Sequence, residues 1–137
     1  RDLVIGEDAY TLSSYPKLFF DDDNKIFSGD EEVVNSLYKH AVADGARVEK
    51  GTIMTSDIFD VYVDKDRYMK NYDSKIDTLV SEMEGAILYC ISKHLNKKAA
   101  CILTVVDSMY EKIELSSHDR EQALDQMITV ALDTVIE

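Results

Sequence analysis

Residues 99–106, Ala-Ala-Cys-Ile-Leu-Thr-Val-Val, form an apolar run without the polar alternation of a half-solvated strand. Such a strand needs cover on both sheet faces, which is the habit of a central strand in an α/β sheet. The flanking pattern agrees. Leu3–Ile5 and Ala9–Thr11 read as one strand broken near Gly6, and Arg47–Ser56 and Lys75–Glu82 as two more. In a helix predicted over 28–44, Val33, Val34, Leu37, Tyr38, Ala41 and Val42 share one face, acidic residues crowd the first turn, and Gly45 is placed to end it. A short polar helix is expected around 64–72, another over 85–95, and a long amphipathic one over 117–136. Strands alternate with helices, so the expected class is α/β, as a single domain over 1–137.

Composition removes several functions. Acidic residues outnumber basic ones by 27 to 15, a net charge of -12, and no phosphate-neutralising face for nucleic acid is expected. No apolar stretch reaches the ~18 residues of a membrane span. Cys90 and Cys101 sit in apolar runs and read as buried, reduced thiols of a cytoplasmic protein. His40, His94 and His118 are scattered without metal-ligand spacing, and Asp21–Lys25 reads as a solvated turn, lacking the ligand pattern of a calcium loop. No metal is expected. The chain opens almost directly on a strand with no initiating Met, which suits the later part of a longer polypeptide.

Carboxylates mark the place where chemistry could sit. In Thr78–Cys90, "TLVSEMEGAILYC", Ser81 and Glu84 have the spacing of a helix capping box, and Ser28/Glu31 and Ser116/Asp119 repeat that pattern. Glu82 and Glu84 also follow a strand directly, where ligands collect in open α/β sheets. Asp107 ends the apolar run 99–106 and has the same address. A buried, unpaired aspartate there must be solvated, paired or used. Capping and ligand holding both remain open on this pattern. Three carboxylates at strand ends suit a polyol such as ribose.

The segment "VSEMEGAILYCISKHLNKKAACILTVVD" resembles the Glu-Met-Glu ribose motif of the nucleoside phosphorylase superfamily, with the catalytic aspartate that follows it. "TSDIF" (Thr55–Phe59), the strand "RDLVIGEDAYT" and the terminal "SSHDREQALDQMITVALDTVIE" are similar to the hexameric purine nucleoside phosphorylases. The resemblance implies a mixed central β-sheet flanked by helices, with the N-terminal part of the fold missing. It implies that Glu84 holds the ribose 2′- and 3′-hydroxyls with Glu82 assisting, that Met83 packs on the sugar, and that Phe59 stacks on the purine. Ser81 and Val106 join the substrate site. Asp107 becomes the general acid at N7, helped by partial burial and neighbouring acids, and Arg120 the arginine that pairs with it.

The implied reaction is phosphorolysis of purine ribo- or deoxyribonucleosides, with inorganic phosphate as co-substrate and no cofactor. The implied assembly is a hexamer of dimers. Val106 and Ser108 depart from the Ser and His common beside the aspartate, which leaves base preference open. The family's glycine-rich loop, phosphate-binding arginines and partner-supplied histidine have no counterpart here, and Arg1 is no phosphate cradle. A nucleosidase, a uridine phosphorylase and a non-catalytic fragment that only binds nucleoside are the alternatives.

Overall fold

The computed structural model describes residues 2–108, 113–114 and 116–135, apart from the side chains of 113, 114, 120, 122 and 123. Its spine is β1 (Asp2–Thr11), which pairs in parallel with β3 (Arg47–Thr55) over its whole length. On its other edge β1 changes partner. Leu3–Gly6 pair antiparallel with β5 (Cys101–Thr104), and Asp8–Tyr10 with β2 (Ile26–Ser28). The two-residue β4 (Ser81–Glu82) extends the sheet beyond β3 in parallel. The sheet is mixed, as expected.

The break expected near Gly6 is a bulge in a continuous strand. Gly6 pairs with Gly51 and Asp8 with Thr52, leaving Glu7 as the extra residue. It reverses the side-chain parity. Before it, Leu3 and Ile5 pack on one face and Val4 on the other; after it, Ala9 joins the face of Val4.

That parity defines two cores. On one face, α4 (Gly85–His94) lays Ala86, Tyr89 and Cys90 against Val4, Ala9 and Ile53. On the opposite face, α2 (Glu31–Ala43) contributes Val34, Leu37 and Ala41, and α5 (Ser117–Val135) contributes Val130. Residues 99, 101, 103 and 105 pack into the first core and 100 and 102 into the second. The apolar run is therefore covered on both faces, but it is not central. Among the described residues β5 hydrogen-bonds along one edge only, to β1.

Local signals explain several helix ends. Asp30 caps α2 by accepting from the Val33 N–H at 3.1 Å, so the cap is not Ser28, whose hydroxyl donates to Asp8 instead. Gly45 adopts φ +74, with the Gly45 N–H on the Val42 carbonyl and the Ala46 N–H on the Ala41 carbonyl. This 5→2 and 6→1 pair is a Schellman end, and the left-handed φ is what demands glycine. Asp64 caps α3 (Lys65–Asn71), and the Ser116 hydroxyl accepts from the Asp119 N–H at the start of α5. The last residue of the expected terminal helix, Ile136, lies outside the described residues.

Two further expectations need correction, and some elements were not foreseen. Of Lys75–Glu82 only the last two residues are strand; Leu79 and Val80 each make one backbone bond along β3. The sequence did not indicate α1 (Tyr15–Phe20), β2, or the small antiparallel pair of β6 (Asp107–Ser108) with β7 (Ile113–Glu114). The Asp21–Lys25 turn is not wholly solvated, because Asp22 is buried. Its Oδ1 accepts from the Asn24 backbone and side chain, and its Oδ2 contacts Lys93 Nζ and His94 Nε2, each at 2.8 Å.

These contacts tie the loop after α1 to the end of α4 and give a pH prediction. The Lys93 ammonium first, then the Asn24 N–H and His94, hold the Asp22 carboxyl well below the usual carboxylate range. A depressed folded-state pKa contributes stability that is fully present above the unfolded value of ~4 and is lost as pH falls below it. Asp22→Asn is therefore expected to lower the urea midpoint at pH 7, with the difference from the parent shrinking below about pH 4. A gap that stays constant across that range would show that Asp22 acts by packing alone.

Both cysteines are free thiols. Burial pushes the Cys101 thiol up to about 11. Among the described residues no helix is long and apolar enough to cross a membrane.

Candidate functional site

The site is built where β3 ends and α4 begins. Helix starts leave several N–H groups without intrahelical acceptors, and here side chains from other elements take three of them. Glu82 Oε2 accepts from the Glu84 N–H at 2.6 Å and the Gly85 N–H at 2.7 Å. Thr55 Oγ1, at the end of β3, accepts from the Ala86 N–H at 2.8 Å and donates to Glu82 Oε1. Thr11 Oγ1, beside it on β1, donates to the Thr55 carbonyl at 3.0 Å.

The expected capping box is thus displaced. Ser81 lies in β4 and Glu84 occupies the N-cap without a side-chain cap bond. Glu82 does the capping, and both of its oxygens are engaged. Glu84 is exposed, and its side chain has no partner among the described residues. The two glutamates have separate states, one clamped and one free.

Gly85 is where this network demands a missing side chain. A Cβ there would stand 2.7 Å from Ile53 Cδ1 and 3.0 Å from Glu82 Oε1. Glu82 can approach the helix start because nothing projects from Gly85.

A cavity of about 750 Å³ brings together Ser81, Glu82, Val106 and Asp107, with Asp60 and Arg47 also on its wall. Met83, Glu84 and Phe59 do not line it. Phe59 is exposed beside Asp60, against Tyr62 at 6.2 Å between ring centres. Arg120 belongs to the first turns of α5, and its side chain lies outside the described residues. Asp107 does end the apolar segment, but β5 runs antiparallel to β1 and β3. Its strand end therefore lies at the opposite end of the sheet from Glu82, and the cavity between them is what the two share. Asp107 is exposed, so the partial burial expected for it is not found.

Sequence reasoning missed Thr55, Thr11 and Arg47. Arg47 is the one Lys or Arg among the described cavity residues, and its Nε lies 3.2 Å from Asp2 Oδ1. The two threonines close parallel strands at paired positions, but only the fold brings Thr55 to the Ala86 N–H, thirty-one residues later in the chain.

The model of the phosphorylase superfamily matches residues 1–137. The chain belongs to that superfamily. It is 28% identical over 137 residues to a DeoD-type purine nucleoside phosphorylase of Oceanobacillus iheyensis, covering all of this chain and 57% of that protein. To a DeoD-type 2 purine nucleoside phosphorylase of Vibrio vulnificus it is 32% identical over 135 residues, covering 98% of this chain and 56% of that protein. The superfamily member therefore spans little more than half the length of these relatives. Its fold is similar to the solved structure of a protein provisionally assigned as a methylthioadenosine nucleosidase, from Weissella paramesenteroides. The TM-score is 0.75 at 18% identity, over 97% of this chain and 59% of that one.

Proposed function

We propose that this chain carries the nucleoside-binding part of a purine nucleoside phosphorylase, which transfers the pentose of a purine ribo- or deoxyribonucleoside to inorganic phosphate. The observation that carries the reading is one cavity edged by both Glu82 and Asp107, in a superfamily member whose relatives include DeoD-type purine nucleoside phosphorylases.

The roles follow from the state of each group. Glu84, free to accept hydrogen bonds, takes the ribose 2′- and 3′-hydroxyls. Glu82 is a positioning residue, since its oxygens are committed to the helix start and to Thr55. Met83 covers the sugar and Phe59 stacks on the base. The C1′–N9 bond breaks toward an oxocarbenium-like state near these carboxylates, and a phosphate oxygen bonds to C1′. The electron pair passes into the purine, where Asp107 supplies a proton to N7. Arg120 pairs with Asp107 in this scheme. A hexamer built from dimers, in the cytoplasm, supplies the phosphate-binding groups that Arg47 alone cannot.

A nucleosidase is the second reading. It is favoured by Arg47, the one cation among the described residues of the cavity wall, being tied to Asp2, which leaves water as the simpler nucleophile. The discriminating experiment is release of free base from inosine and adenosine, with and without inorganic phosphate. Phosphate-dependent release with formation of pentose 1-phosphate is expected. Equal release without phosphate would establish the nucleosidase. No release by protein folded in circular dichroism would reduce the chain to a binding fragment.

A further inference from the structure

We propose that Asp22, Cys90 and His94 form a site for a borderline-soft divalent cation of the zinc class, where the end of α4 meets the loop after α1. The three donor atoms lie within 4.8 Å of one another. Zinc holds carboxylate oxygen, imidazole nitrogen and thiolate sulfur at ~2.0–2.3 Å in a tetrahedron, so its ligand atoms stand roughly 3–4 Å apart. Small side-chain adjustments bring the present cluster to that geometry.

The chemistry and the fold both favour it. Cys90 and His94 are four residues apart on one helix and so project from one face. The imidazole is fixed by stacking on Phe20, with 4.3 Å between ring centres and 7° between planes. Asp22 Oδ1 is held by Asn24, which leaves Oδ2 facing His94 Nε2. Cys90 is fully buried and His94 partly exposed, so the imidazole side is the way in. Thiolate, imidazole and carboxylate together select zinc-like ions over calcium or magnesium. Three protein ligands leave one position for water.

Lys93 is the competitor. Its ammonium sits 2.8 Å from the same Asp22 oxygen, but the side chain is 53% exposed and can swing into solvent. An arriving cation takes over its charge partner, the Cys90 thiol proton goes to solvent, and His94 binds through Nε2 with its proton on Nδ1. The bound ion then pins the α1 loop to the helix whose other end bears Glu84. None of the three ligands lines the cavity.

The test is titration of chelator-stripped protein with Co²⁺, followed by absorption and by competition with Zn²⁺. A thiolate-to-cobalt charge-transfer band saturating at one ion per chain, and displaced by Zn²⁺, is expected. His94→Gln, on the partly exposed side, is expected to weaken binding by more than the ~10–100-fold that a mere supporting contact costs. Lys93→Met should tighten it, an opposite sign that a general loss of structure cannot produce. Cys90→Ala should lose the band; if that variant does not fold, the parent and His94→Gln titrations decide. Absence of the band in the parent, unchanged affinity in His94→Gln or Lys93→Met, or a band that survives in folded Cys90→Ala would overturn the site.

Discussion

Asp107→Asn is expected to lower kcat for purine nucleosides by ~10²–10⁴-fold, the usual value of a positioned general acid, while leaving the protein folded. The amide keeps the shape and can still donate a hydrogen bond toward N7, but it has no proton to give up when the glycosidic bond breaks. Folding should be spared because Asp107 is exposed and its part in the β6–β7 pair is made by the backbone. The measurement is kcat and KM on inosine and adenosine in the active assembly, alongside circular dichroism. A variant that kept the parent kcat would remove Asp107 from the reaction. One that lost rate only through KM would make it a binding group.

Thr55→Val carries the other large effect, and it falls on stability and substrate affinity together. Valine fits the space but leaves the buried Ala86 N–H without its acceptor and Glu82 Oε1 without its donor. A buried donor left unsatisfied costs about 1–3 kcal/mol. Glu82 is partly exposed, so water repairs its loss and little should be added on that side. Released from Thr55, the Glu82 carboxylate no longer fixes the segment that presents Glu84, and KM for ribonucleosides should rise. Thr55→Ser keeps the hydroxyl and should restore most of both properties. Equal urea midpoints for the valine variant and the parent would show that the Thr55 hydroxyl contributes nothing.

How much of this was legible depends on the distance over which the deciding contact acts. The Gly45 end of α2 and the Asp64–Tyr72 helix could be read because cap and helix are neighbours in sequence. The two-sided apolar cover of 99–106 could be read for the same reason: it is a property of consecutive residues. The position of that strand could not. Whether it lies at the centre or along one edge depends on which other strands find it, and those partners are far away in the chain. The capping box failed instructively. Ser81 and Glu84 have the right spacing, but Glu82, two and three residues from the N–H groups it accepts, competes better because Thr55 holds its other oxygen. The grouping of Asp22 with Cys90 and His94 was hidden behind a search for histidine spacing alone, since its carboxylate arrives from a separate loop. The superfamily itself was legible, because it rests on several motifs in order and not on any single contact.

The bulge at Glu7 also divides β1 in time. Beyond it, Tyr10 pairs with Ile26, an association that closes early because the intervening chain is short. Before it, Leu3 pairs with Thr104, across most of the polypeptide. Contacts between distant residues form slowly, since a large loop must close first. The segment leading to Asp107 is therefore expected to dock last, onto a sheet whose β1–β2–β3 part is already assembled. A chain extended only as far as α4 would hold the β1–β2–β3 part without Asp107, the acid proposed above, which would join in a separate, later step.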